Sequence, residues 1–176
     1  MGEGSNPRAG SDVWAKVWGL HIPTKIKVFV WRACHDILPT YDKLRQRRII
    51  DFDLCPVCNQ APETILHSLW ECAAAQDVWA GCSNRLLQKG LTVQASVFNL
   101  VEDFLHKLPS DVLEFLLVLC WLLWHRRNRV VHGGILQEPG ALVGRARSLL
   151  DEYLGARTQL VSPMPYVSSG PSQKWQ

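Results

Sequence analysis

The stretch from Cys55 to Cys72, CPVCNQAPETILHSLWEC, sets Cys55, Cys58, His67 and Cys72 in the pattern C-x2-C-x8-H-x4-C. Two thiols separated by two residues can converge on one tetrahedral ion, because the turn between them aims both sulfurs and nearby backbone amides inward. The second pair is harder to place. A regular helix advances 100° per residue, so five residues overshoot a full turn by about 140°, and His67 and Cys72 would not share a face. A distortion or turn is therefore predicted around Glu71 to Ala73. Three thiolates and one imidazole form a closed, soft donor set with no position left for water or substrate, which points to one structural Zn²⁺. A thioredoxin-like redox use of the C-x2-C pair fits poorly, since no βαβ pattern surrounds it. Cys34, Cys82 and Cys120 stand alone in apolar segments and read as small hydrophobes.

Outward from this stretch the periodicity is helical. Upstream, Ser11 is a candidate cap for a short helix carrying Val13, Trp14, Val17 and Trp18, which Gly19 ends. Pro23 suits the first turn of a longer helix, in which Ile26, Phe29, Val30, Ala33 and Ile37 recur on one face. Thr40 caps a further helix from there through Leu44 to about Arg48. Downstream, Pro62-Glu63-Thr64 opens a helix whose character extends to about Lys89, where Gly90 stops it. A helix near Ser96 to His106 follows. Pro109-Ser110-Asp111 then opens a long apolar helix ending at Gly133-Gly134, and an amphipathic helix carries Leu142, Val143, Ala146, Leu149, Leu150, Tyr153 and Leu154. No strand alternation and no internal repeat emerge, so the expected fold is all-α: a small helical domain with one zinc-organised loop, then a hairpin-like helical half. The expected organisation is a flexible tail over 1–10, the zinc-binding domain over 11–90, a helical extension packing on it over 91–157, and a flexible tail over 158–176. The longest charge-free apolar stretch, Phe115 to Trp124, is too short to span a bilayer, and the polar N-terminal residues lack an apolar signal core, so an intracellular protein is expected.

Several motifs together carry a resemblance. The run W-x3-WGLHIPTKIKVFVWRACHDILPT, L-x-x-R at Leu44 to Arg47, C-x2-C with ET shortly before H-x4-C, and Val78-Trp79 resemble the zinc-binding domain of plant non-LTR (LINE-type) retroelement polyproteins over about Val13 to Trp79. More loosely, WLLWHRRNRVVHGG resembles the helix that commonly follows that module, and Lys174-Trp175-Gln176 looks like the lead-in to an RNase H domain. The resemblance implies zinc at Cys55, Cys58, His67 and Cys72 and an accessory role in nucleic-acid handling. Neither the paired catalytic aspartates of a polymerase nor a run of RNase H carboxylates is found, and no nucleophile elbow, phosphate-cradling glycine loop or H-E-x-x-H occurs. No catalytic residues are assigned, and a non-enzymatic, element-derived fragment is expected.

Charge is distributed unevenly. Lys25 to Arg48 carries a net charge of +5, whereas Asp51 to Asp77 holds five acidic residues and no Lys or Arg. The acidic zinc segment is a poor phosphate grip, so weak, salt-sensitive contact with RNA or single-stranded DNA is assigned to Arg45, Arg47 and Arg48 together with Arg126, Arg127 and Arg129. The competing readings are internal pairing of the basic and acidic segments and a fragment that binds proteins, or nothing, rather than nucleic acid. Trp14, Trp18, Trp70 and Trp79 fall on apolar helical positions and are expected in the core. Trp31 stands opposite the main apolar stripe and is expected to pack on the zinc module or on the Trp121/Trp124 helix.

Overall fold

The computed structural model describes residues 7–82 and 94–161. Among them the regular structure is helical, and the one strand-like feature is an isolated bridge between Leu54 and Pro62. The helices are α1 (Pro7–Gly19), α2 (Thr24–Cys34), α3 (Tyr41–Gln46), a π-helical turn (His67–Glu71), α4 (Ala73–Ala80), α5 (Val97–Lys107), α6 (Ser110–Val131) and α7 (Pro139–Val161). The all-α expectation holds. The expected stop at Gly90 and the Trp175 segment lie outside the described residues. Two boundaries move outward: α1 starts at Pro7, ahead of the anticipated cap at Ser11, and α7 continues through 158–161, where a tail was expected.

Local chemistry sets several of these ends. Thr40 is fully buried, and its hydroxyl accepts the Lys43 N–H at 3.4 Å to cap α3. Ser96 does the same for α5 through the Asn99 N–H at 3.2 Å. Helix α6 ends where Gly133 takes φ +79°, a left-handed conformation that side chains disfavour, and the Gly134 N–H returns to the Arg129 carbonyl at 2.8 Å.

Helix α6 is the axle of the fold. Leu113, Leu116, Leu117, Val118, Leu119, Cys120, Leu122, Leu123 and Trp124 are buried, so almost its whole circumference is covered. The apolar run that could be mistaken for a membrane segment is thus a core helix, and no described helix is long and apolar enough to cross a membrane. It packs against α7, α2, α5 and the π-helical turn, and α4 packs on both α7 and that turn. One apolar core therefore runs from Val13 to Leu150. At the start of α6, buried Glu114 accepts the backbone N–H of His21, fixing the link between α1 and α2.

Two tryptophan expectations change. Trp18 is exposed, with Lys27 donating to its backbone carbonyl. Trp31, 38% exposed, has its ring 4.4 Å from the His35 ring, which also stacks on Trp14 at 5.4 Å. The i, i+4 spacing on α2 brings Trp31 and His35 together, which gives Trp31 a local neighbour in place of the bridging role expected of it.

Candidate metal centre

The loop that carries Cys55 and Cys58 is built by backbone bonds. The Cys55 N–H donates to Ala61 O at 2.8 Å, the Asn59 N–H returns to Cys55 O at 2.9 Å, and Asn59 adopts φ +53°, a conformation asparagine tolerates. The amides of Val57 and Cys58 point back at the Cys55 sulfur. The Thr64 hydroxyl accepts the His67 N–H at 3.0 Å, starting the turn that presents the imidazole.

The His-x4-Cys problem is solved by a π-turn. The Cys72 N–H bonds to the His67 carbonyl at 2.8 Å, a five-residue step that closes one wide turn across the pair and brings both ligands to one side. Cys72 then breaks the helix with φ −58° and ψ 131°, within the predicted distortion, and the chain restarts as α4. Carbonyls near the break need other donors. The Trp79 indole N–H supplies Leu69 O at 2.8 Å, and the Gln76 amide supplies Trp70 O. The Val78-Trp79 pair thereby has a specific structural role, since its indole braces the ligand-bearing turn.

The four donors converge. One ligand atom from each of Cys55, Cys58, His67 and Cys72 lies within 4.8 Å of every other. Cys55 Sγ and Cys72 Sγ are 4.0 Å apart, and Cys58 Sγ and His67 Nε2 are 3.3 Å apart. A tetrahedral zinc with bonds of about 2.3 Å to sulfur and 2.0 Å to nitrogen needs S···S and S···N separations of about 3.8 and 3.5 Å, so the donors fit that ion. All are buried or half-buried, and the set leaves no open coordination position. The site is a single structural Zn²⁺ centre.

Without a cation the donors share protons. Cys72 is pulled below the usual thiol value by its hydrogen bond with Cys55, helped by the amides of Ala74 and Ala75. That same bond, with burial, pushes Cys55 up to about 12. His67 is raised to about 9 by hydrogen bonding to the Cys55 and Cys58 sulfurs, against a lowering by burial. A protonated form favoured up to about pH 9 must give up its proton before the imidazole can ligate. Zinc binding at pH 7 is therefore expected to release protons, and the apparent affinity to fall about tenfold per pH unit for each proton displaced as pH drops. Zinc titration with an indicator dye in weak buffer checks this; uptake with no proton release would contradict it.

The arginines expected at a nucleic-acid surface separate into two groups. Arg45, Arg47, Arg48 and Arg129 are exposed. Arg45 pairs with Asp53, the one described ion pair joining the basic and acidic segments, while Arg48 turns the chain at φ +58°. Arg126 and Arg127 require correction: they are 4% and 5% exposed and turned inward, where a phosphate in solution cannot reach them. Arg126 donates to Ala74 O at 2.6 Å and Gln137 O at 2.8 Å. Arg127 grips the fully buried Glu63 carboxylate through Nε and Nη2, and its guanidinium lies over the Tyr41 and Trp124 rings at 5.1 and 4.9 Å. Glu63 also accepts the Tyr41 N–H at 2.7 Å and the Ser68 hydroxyl at 3.3 Å. Periodicity could have flagged this inward turn, since Arg126 and Arg127 follow Leu122, Leu123 and Trp124 at helical spacing. Phe52 was missed: it is 57% exposed, edge-on to Tyr41 at 5.4 Å, beside Asp53. A lone phenylalanine in a polar loop gives no periodic signal.

Residues 4–79 match the family described as zinc-binding in reverse transcriptase. The chain is also 26% identical, over 74 residues covering 42% of its length, to an Arabidopsis thaliana protein whose name describes it as a ribonuclease H protein. The match spans 12% of that relative's length. No solved structure matches the chain.

Proposed function

We propose that this chain, whose residues 4–79 match the family described as zinc-binding in reverse transcriptase, is a non-catalytic, retroelement-derived module that holds RNA or single-stranded DNA weakly by its phosphates. The observation carrying this reading is the turn after α3, where Arg47 and Arg48 stand exposed with no ion pair to a described carboxylate. Phe52 nearby offers an aromatic face on which an unpaired base could stack. Arg45 and Arg129 add exposed charge, Arg45 at the same turn. Zinc acts at a distance in this scheme, by holding the loop that presents the surface.

Titration of fluorescent single-stranded RNA at several salt concentrations tests it. With roughly four phosphates neutralised, log K should fall with log salt at a slope of about −3. Substituting Arg47→Gln together with Arg48→Asn, which tolerates the left-handed turn, should flatten that slope by about 1.5. Absence of binding at low salt would remove the reading. A second reading has its own observation: Ile37, which follows α2, and Ile49, Phe52 and Leu54, which follow α3, are exposed large apolar side chains, as a protein-binding surface would have. Absence of RNA binding at low salt would favour that alternative, and RNA binding unchanged by the arginine substitutions would remove the arginine turn as the contact.

A further inference from the structure

One of the two buried arginines that the nucleic-acid surface loses, Arg126, lines a cavity beside two of the four metal donors. A Zn²⁺ on three thiolates and a neutral imidazole carries a net charge of −1, and a buried anion needs a nearby cation or hydrogen-bond donors. The segment 51–77 contains no Lys or Arg to supply one. Arg126 comes instead from α6. Arg126 lines a small cavity together with Arg127, Cys55 and Cys72, and its bond to Ala74 O grips the first turn of α4, the same turn whose Ala74 and Ala75 amides point at the Cys72 sulfur. Its second bond, to Gln137 O, ties it to the link between α6 and α7. Asp77 and Glu138 lie within electrostatic reach of the same guanidinium.

We infer that Arg126 is a positioning residue of the zinc centre: it balances the centre's negative charge and holds the α4 amides on Cys72, so that metal retention by residues 55–72 depends on a helix more than fifty residues downstream. Outer partners of this kind commonly govern metal affinity by about ten- to a hundredfold. The role is distinct from that of Arg127, whose fork is filled by Glu63.

The test uses the full chain loaded with one zinc and challenged with excess of the chelating dye 4-(2-pyridylazo)resorcinol, whose absorbance follows release. Arg126→Met, which keeps the aliphatic volume, should release zinc about tenfold faster or more. Arg129→Met, exposed on the same helix, should release at the wild-type rate. Leu113→Ala serves as a stability control, because it opens a cavity thirteen residues and about 20 Å along α6. Faster release in Arg126→Met than in Leu113→Ala at equal or smaller loss of melting temperature supports the inference. Wild-type release from Arg126→Met, or equal acceleration in Leu113→Ala, overturns it. Should Arg126→Met fail to fold, Arg126→Lys decides: it keeps the charge but not the two-point grip, and its release should be faster than wild type, a wild-type rate being the overturning result.

Discussion

Replacing Cys72 with serine is expected to empty the metal site and unfold the surrounding segment. A serine hydroxyl does not ionise to the ligand form, and structural zinc typically contributes on the order of 10 kcal/mol to folding in small modules. That is comparable to the whole stability of a domain, roughly 5–15 kcal/mol. The loss should be read at two places. Zinc content should fall from about one per chain to near zero. The near-ultraviolet signal of Trp70 and Trp79, whose rings sit 5.2 Å apart, should collapse, because Trp79 is held by a carbonyl of the turn that ends at Cys72. Cys34→Ala provides the contrast. Burial pushes the Cys34 thiol up to about 12, it lies outside the four-donor cluster, and its removal should leave zinc stoichiometry unchanged. A zinc-free Cys72→Ser protein with an unchanged near-ultraviolet spectrum would overturn the structural role of the metal.

The second large effect belongs to Glu63 and Arg127. Each is buried, each is the other's principal partner, and the pair joins the exit of the zinc loop to α6 across 64 residues of sequence. Arg127→Met or Glu63→Gln alone leaves one buried group without its counter-charge, at an expected cost of about 3–5 kcal/mol, seen as a lower urea midpoint and a melting temperature reduced by about 10 °C. The double variant Glu63→Leu with Arg127→Met should be more stable than either single one, since no orphaned charge remains. Single variants within about 1 kcal/mol of wild type would show that water reaches the pair. Because Tyr41 N–H also bonds Glu63, the single variants should loosen α3 and with it the Arg47 and Arg48 turn.

The metal centre was the most legible feature, because its chemistry is local. Four donors within eighteen residues have a spacing that only a small set of ions and turns can satisfy. The mismatch between five residues and a helical turn even placed a distortion around Glu71 to Ala73, where the chain breaks at Cys72 after the π-turn at His67–Glu71. Helical identity was legible for a similar reason, since apolar periodicity records which face will be covered. The boundaries were less so, as in α1 beginning at Pro7, because propensity near an end competes with packing.

The sequence by itself determined an all-helical chain around one Cys3His zinc site, since ligand type, spacing and period are properties of neighbouring residues. Tertiary structure alone decided what the charges do. Arg126, Arg127 and Arg129 are nearly adjacent and equally basic, yet α6 turns two of them into the interior and leaves the third in water. Which side of a fully surrounded helix meets Glu63, and which meets Ala74 beside Cys72, depends on how α6 is rotated against the zinc loop and α7. Helical spacing can flag that two of these arginines follow the buried face, but their partners are set by the packing of the shared apolar core, through contacts between residues far apart in the chain.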